Sequence, residues 1–136
     1  EAGAKVYEKH CAACHKIGER SKIAPQLDGV GLRGLERILE DTLDPNRIVD
    51  QGFRARVITT KDEKSLIALM LRVEGESLVV IDGEGKERRV PLNDITNNRD
   101  TMLSPMPANY GDTIPEADFL NLLAYLLELK TPPKPE

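Results

Sequence analysis

Two thiols and an imidazole stand together in Cys11-Ala12-Ala13-Cys14-His15. Cys-x-x-Cys-His is the attachment pattern of a c-type haem. Each thiol can add to one porphyrin vinyl group, and the two-residue gap lets both sulfurs reach the same edge of the ring. The adjacent imidazole is then carried beneath the iron as its proximal ligand. Three other chemistries fit two nearby cysteines. A thioredoxin-like redox pair requires a strand before it and a βαβ unit around it, whereas Gly3 to His10 reads as helix. A structural zinc site requires four ligands. Cys11 and Cys14 are the chain's two cysteines, so His10 and His15 would have to complete a cramped cage. A Cys11–Cys14 disulfide would close a very small loop and add little.

A low-spin electron-transfer haem takes a second axial ligand, and Met/His ligation raises its potential. The chain has three methionines. Met70 lies in the apolar run Leu66 to Leu71 and reads as core filler. Met102 and Met106 lie in a proline-rich segment before the last helix. Pro105 and Pro107 restrict the backbone on either side of Met106, which favours it over Met102; the resemblance given below adds to that preference. His10, next to Cys11, is committed to the proximal side and reads as a helix-face or surface residue.

The elements that hold these residues are readable from periodicity. Val6, Tyr7 and His10 share one side at helical spacing, with Gly3 a turn earlier, so a short helix runs into the cysteine motif. Ser21 to Gly31 reads as loop. Leu32, Leu35, Ile38, Leu39 and Leu43 follow amphipathic-helix spacing, which ends at Asp44 before Pro45. The pattern then changes to period two. Phe53, Ala55, Val57 and Thr59 alternate with Arg54, Arg56 and Ile58. Ser65–Val73, Ser77–Ile81 and Lys86–Leu92 follow as strands separated by hairpin-length turns. Asn97 to Tyr110 reads as irregular. Thr113 to Glu116 reads as a capping box with Thr113 as N-cap, opening an apolar helix that runs to about Leu129.

The fold expected is therefore α+β: a mostly helical core formed by residues 1–51 and 96–131, with an antiparallel meander of about four strands inserted over 52–95. Residues 132–136 form a stiff tail or linker. The 136 residues suffice for one domain with an insertion. With a net charge of −4, nothing suggests affinity for nucleic acid, and no apolar run reaches membrane-spanning length. Trp is absent and aromatics make up 4% of the chain. Burying a large flat cofactor would supply apolar contact that these few rings do not, so the chain without haem is expected to fold poorly. Covalent haem attachment takes place outside the cytoplasm. The chain is thus expected to be a processed protein or a domain of a longer one, in the periplasm or another extracytoplasmic location.

With the haem motif, the Pro-Met-Pro segment and the terminal apolar helix together, the chain resembles the class I c-type cytochromes. That family has a helix entering Cys-x-x-Cys-His and a Met-Pro loop before a last helix containing Ala-Tyr-Leu. Here these are Gly3 to Cys11, Met106-Pro107 and Ala124-Tyr125-Leu126. The resemblance implies that the first and last helices cross, with Gly3 and Tyr7 facing Tyr125. The chain is similar more closely to the haem-binding domain of the Pirellula/Verrucomicrobium type. Where that group has Gly-Pro-x-Leu, this chain has Ala24-Pro25-Gln26-Leu27. Where it has Leu-Asp-Pro-Ser and Ser-Leu-Met-Pro, this chain has Leu43-Asp44-Pro45-Asn46 and Ser104-Pro105-Met106-Pro107. The resemblance implies that the Pro25 carbonyl accepts the free ring N–H of the proximal histidine, fixing its orientation and basicity.

The expected function is one-electron transfer by a single haem c, covalent through Cys11 and Cys14, with iron held by His15 and Met106. Its partners would be redox proteins or fused dehydrogenase domains, with no nucleic acid and no direct membrane insertion. The chain is then a carrier and not an enzyme. The alternative is a haem sensor or peroxidase-like enzyme with a displaceable distal ligand, against which stands the lack of a distal acid/base histidine. Arg33, Arg54, Arg56, Arg88 and Arg89 are candidates for the haem propionates or a partner surface, or else belong to a solvated face. Tyr110 is a further candidate to reach a propionate. Arg88 and Arg89, adjacent on a strand, would point to opposite faces. The meander, with no catalytic constellation, reads as a docking or shielding element.

Overall fold

Helix formation begins at the second residue. The computed structural model describes residues 1–19, 24–83, 85–133 and 135. Among these the chain forms four α-helices and one five-stranded antiparallel sheet. Strands occupy nearly as much of the chain as helices, so the chain as a whole is mixed α+β. The chain divides into two compact units, Glu1–Arg47 with Ala108–Glu136, and Ile48–Pro107. The boundaries lie at 47/48 and 107/108, where 51/52 and 95/96 were expected. The expected loop over Ser21–Gly31 lies outside the described residues at 21–23, as do Lys134 and Glu136 of the expected tail.

In the first unit α1 (Ala2–His10) packs on α4 (Glu116–Glu128). Val6 and Tyr7 of α1 are buried with Ile38, Ile114, Leu122, Leu123 and Leu126 in one core. Each such aliphatic side chain contributes about 1.5–3 kcal/mol relative to exposure. The helices approach closely because residue 3 has no side chain. A Cβ there would lie 2.6 Å from the Tyr125 Cβ and would overlap the Asn121 carbonyl oxygen. The Tyr7 and Tyr125 rings meet at 5.7 Å, tilted by 45°. Lys9 occupies the last turn of α1, where its positive charge suits the helix dipole.

Between them, α2 (Leu35–Leu43) begins three residues later than the leucine spacing requires. Val30–Arg33 is a 3₁₀ turn, and Gly34 at φ +84° separates it from α2. That backbone conformation strongly favours glycine. Thr113 does not cap α4. It ends the short α3 (Tyr110–Thr113), and Pro115 is the N-cap of α4, its carbonyl accepting the Phe119 N–H at 2.9 Å. Burial of Ile114 in extended conformation separates the two helices and takes the capping-box geometry away from Thr113.

In the second unit the strands are β1 (Arg56–Thr60), β2 (Ser65–Glu74), β3 (Ser77–Asp82), β4 (Glu87–Pro91) and β5 (Ile95–Asp100). Their spatial order is β4-β3-β2-β1-β5. Ile58, Ala68, Leu78, Val80 and Val90 form the core of one face. Asp82 closes the β3–β4 turn, accepting the Lys86 N–H at 3.0 Å; Glu84 lies outside the described residues. The fifth strand is the correction to a four-stranded meander. Ile95–Asp100 is almost wholly polar, and Asn and Asp are depleted in strands. It exists as an edge strand because β1 offers it a partner, reinforced by Thr96 Oγ1 donating to the Thr59 carbonyl at 3.2 Å and by Arg56 bonding Asn98 and Asp100.

Met70 is also not core filler. It is 50% exposed, with its sulfur 4.0 Å from Asn98 Nδ2, while the neighbouring Leu69 is buried. A register shift between Met70 and Arg72 interrupts the alternation at that point.

Candidate functional site

The five-residue cysteine motif is built on the end of α1. The helix stops as the Cys11 and Ala12 N–H groups both bond the Tyr7 carbonyl, at 2.8 and 3.0 Å. The chain then folds back on itself. The N–H groups of Cys14 and His15 bond the Cys11 carbonyl at 3.1 and 2.9 Å. Cys11, Cys14 and His15 are thus presented on one tight turn, all half-buried, and neither sulfur is in a disulfide.

Two tyrosines hold the ends of this turn. Tyr7 Oη donates to the His15 carbonyl at 2.8 Å. Tyr110 Oη donates to the His10 carbonyl at 3.0 Å, and its ring meets His10 edge-on at 6.2 Å. Tyr110 was expected to reach toward a propionate; in this unit its hydroxyl is engaged with the backbone beside Cys11. Neither hydroxyl bond carries a signal in the sequence, because each partner is a main-chain carbonyl.

His15 Nδ1 lies 2.7 Å from the Pro25 carbonyl oxygen, the contact the resemblance implies. That oxygen can only accept, so Nδ1 carries the proton and Nε2 keeps its lone pair. Nε2 has no partner among the described residues. Burial pulls the ring below the ordinary imidazole pKa, and the opposing Pro25 bond does not reverse that. At neutral pH the histidine is therefore neutral, the form that binds a metal. The donor set fits a covalent haem: two sulfurs out of disulfide linkage and one neutral imidazole whose outer nitrogen has no partner among the described residues.

The other cysteine chemistries fit poorly. Burial, then the Cys14 charge, pushes the Cys11 thiol up to about 11, whereas reactive Cys-x-x-Cys pairs require a lowered value. A helix precedes the motif where a redox pair needs a strand. Among the described residues no group of three or more His, Cys, Asp or Glu is disposed to hold a metal ion.

Met106 and Met102 belong to the second unit. Met106 is half-buried and its N–H bonds Ser104 Oγ at 3.1 Å; Met102 is 68% exposed. The candidate arginines are all engaged. Arg33 pairs with Asp41 at 3.4 Å, Arg54 Nε donates to the Val49 carbonyl at 3.3 Å, and Arg56 pairs with Asp100. Arg88 pairs with Asp82 at 2.5 Å and Arg89 with Glu74 at 2.6 Å, so these neighbours turn to different carboxylates.

Tyr110 gives the turn a measurable pH dependence. Burial, then the charges of Cys11 and Cys14, pushes its phenol up to about 12. Thioethers carry no charge, so burial remains the cause once both sulfurs are alkylated. A raised phenol pKa means that the folded state holds the proton more tightly. This contribution to stability is whole below the ordinary value of about 10 and is lost as pH rises above it. Thermal unfolding of Tyr110→Phe is expected to depend less steeply on pH above about 10 than that of the parent; parallel curves would show that this phenol does not titrate with unfolding.

The model of the family described as Cytochrome c matches residues 1–130. No curated protein matches the chain.

Proposed function

This chain belongs to the cytochrome c family, and from that premise we propose that it is a one-electron carrier between extracytoplasmic redox partners, its iron held by His15 and Met106. It carries haem c, joined covalently through Cys11 and Cys14. When bound, the haem supplies an iron that cycles between ferrous and ferric states. The protein supplies ligation, burial and orientation.

The observation that carries the reading is the His15–Pro25 bond at 2.7 Å. It fixes the tautomer, aims the ring and leaves Nε2 as the donor. As second ligand we take Met106, the methionine whose backbone is held by Pro105, Pro107 and the Ser104 hydroxyl. Leu32, Leu35 and Leu43 leave apolar surface exposed in the unit that bears the cysteines. A flat apolar cofactor can remove such surface from water. The closer likeness to the Pirellula/Verrucomicrobium-type domain rests on the three short motifs around Pro25, Pro45 and Met106 and on the strand-rich insertion. Periplasmic placement follows from where haem is attached covalently. Partners are redox proteins or fused dehydrogenase domains. No helix among the described residues is long and apolar enough to cross a membrane.

The test is a spectroelectrochemical titration of the mature protein, followed by mixing of its ferrous form with carbon monoxide. A single reversible one-electron wave and no rapid carbon monoxide binding are expected. Immediate binding would mean an open iron face and would favour a sensor or peroxidase-like enzyme.

A further inference from the structure

After His15 the chain leaves the cysteine turn and returns at Pro25. Pro25 is exposed and has no N–H of its own, so its neighbours must hold its carbonyl in place. Three bonds do so. The Leu27 N–H donates to the Lys16 carbonyl at 2.9 Å. The Gly18 N–H donates to both carboxylate oxygens of Asp28, at 3.0 and 2.9 Å. Gln26 Nε2 donates to Asp28 Oδ2 at 2.7 Å. The Asp28 carboxylate thus ties the strand of chain leaving His15 to the residue that follows Pro25. The Gly18 N–H is the main reason its carboxyl lies below the ordinary carboxylate range, so it is ionised at neutral pH and makes charge-assisted bonds.

We propose that Asp28 is a positioning residue for the haem: it holds the Pro25 carbonyl against His15 Nδ1 and through that bond sets how strongly the imidazole donates to the iron. The inference rests on His15 being the proximal ligand. A ligand histidine that donates its second N–H to a carbonyl is a stronger base at the metal-facing nitrogen. Stronger donation favours ferric over ferrous iron. Slackening the brace therefore weakens donation and raises the potential.

The experiment uses the mature haem protein and two variants, Asp28→Ala and Asp28→Asn. In Asp28→Ala the ferric/ferrous equilibrium is expected to move about two- to fivefold toward ferrous, the effect of one weakened hydrogen bond, which is about 20–40 mV at 59 mV per tenfold for one electron. The His15 Nδ1 proton, followed by NMR, is expected to exchange faster by a similar factor. Asp28→Asn keeps one acceptor oxygen and should show a smaller change of the same sign. Asp62→Ala removes a carboxylate that closes a turn of the other unit and should move neither reading. If Asp28→Ala and Asp28→Asn both retain the parent potential and Nδ1 exchange, Asp28 is a loop brace only and the proposal is wrong, even where thermal stability falls. If the parent's own Nδ1 proton shows no paramagnetic shift in the ferric state, His15 is not the ligand and the underlying reading fails first.

Discussion

Replacing Cys11 and Cys14 together by alanine is expected to reduce covalently bound haem from one per chain to none. Both sulfurs lie on one turn that closes through bonds to the Tyr7 and Cys11 carbonyls, and the sequence contains no other cysteine. No second site can take over. Acid–organic extraction should then remove all colour from the double variant and none from the parent, with intact mass confirming the loss. Each single variant should retain one thioether. Its haemochrome band should shift to longer wavelength, because one vinyl group survives in conjugation with the ring. Haem that resists extraction in the double variant would refute attachment through this turn. The double variant should also lose thermal stability, since the chain has few aromatic residues with which to replace the apolar contact of a porphyrin.

The second large effect is expected at Met106. Met106→Ala should abolish the iron–thioether charge-transfer band of the ferric protein and open the iron to carbon monoxide in the ferrous form. Its potential should fall by tenths of a volt, within the roughly 0.8 V range that axial ligation spans. The direction follows because a thioether opposite histidine raises the potential. Met102→Ala should leave the band intact. Met102 is 68% exposed, while Met106 is half-buried with its N–H held by the Ser104 hydroxyl. A band that survives in Met106→Ala and vanishes in Met102→Ala would transfer the ligand role to Met102.

Local chemistry announced itself well in this chain. The cysteine motif, the helix before it and the apolar helix near the end are set by spacing over a few residues, and the first four strands follow from one period-two run and three further runs set off by turn residues. Features that depend on a distant partner were hidden. Ile95–Asp100 has the composition of a loop and becomes a strand because β1 accepts it. Thr113 has the residue type of a cap, yet burial of Ile114 gives that place to Pro115. Met70 sits in an apolar run and is still 50% exposed, at the point where the regular pairing of β2 with β3 is interrupted.

The amino-acid order alone determined which atoms could bind a haem: two sulfurs and an imidazole within five residues, whose relation is set by the covalent chain. Folding decided how that imidazole is held. The Pro25 carbonyl and the Tyr7 and Tyr110 hydroxyls converge on the turn from positions up to a hundred residues away, and the Asp28 carboxylate ties together the segments on either side of Pro25's loop at Gly18 and Gln26. Most of these contacts involve main-chain groups, which every residue possesses. No side-chain pattern can mark them in advance, and only the packing of α1, α4 and the intervening segments brings them within bonding distance.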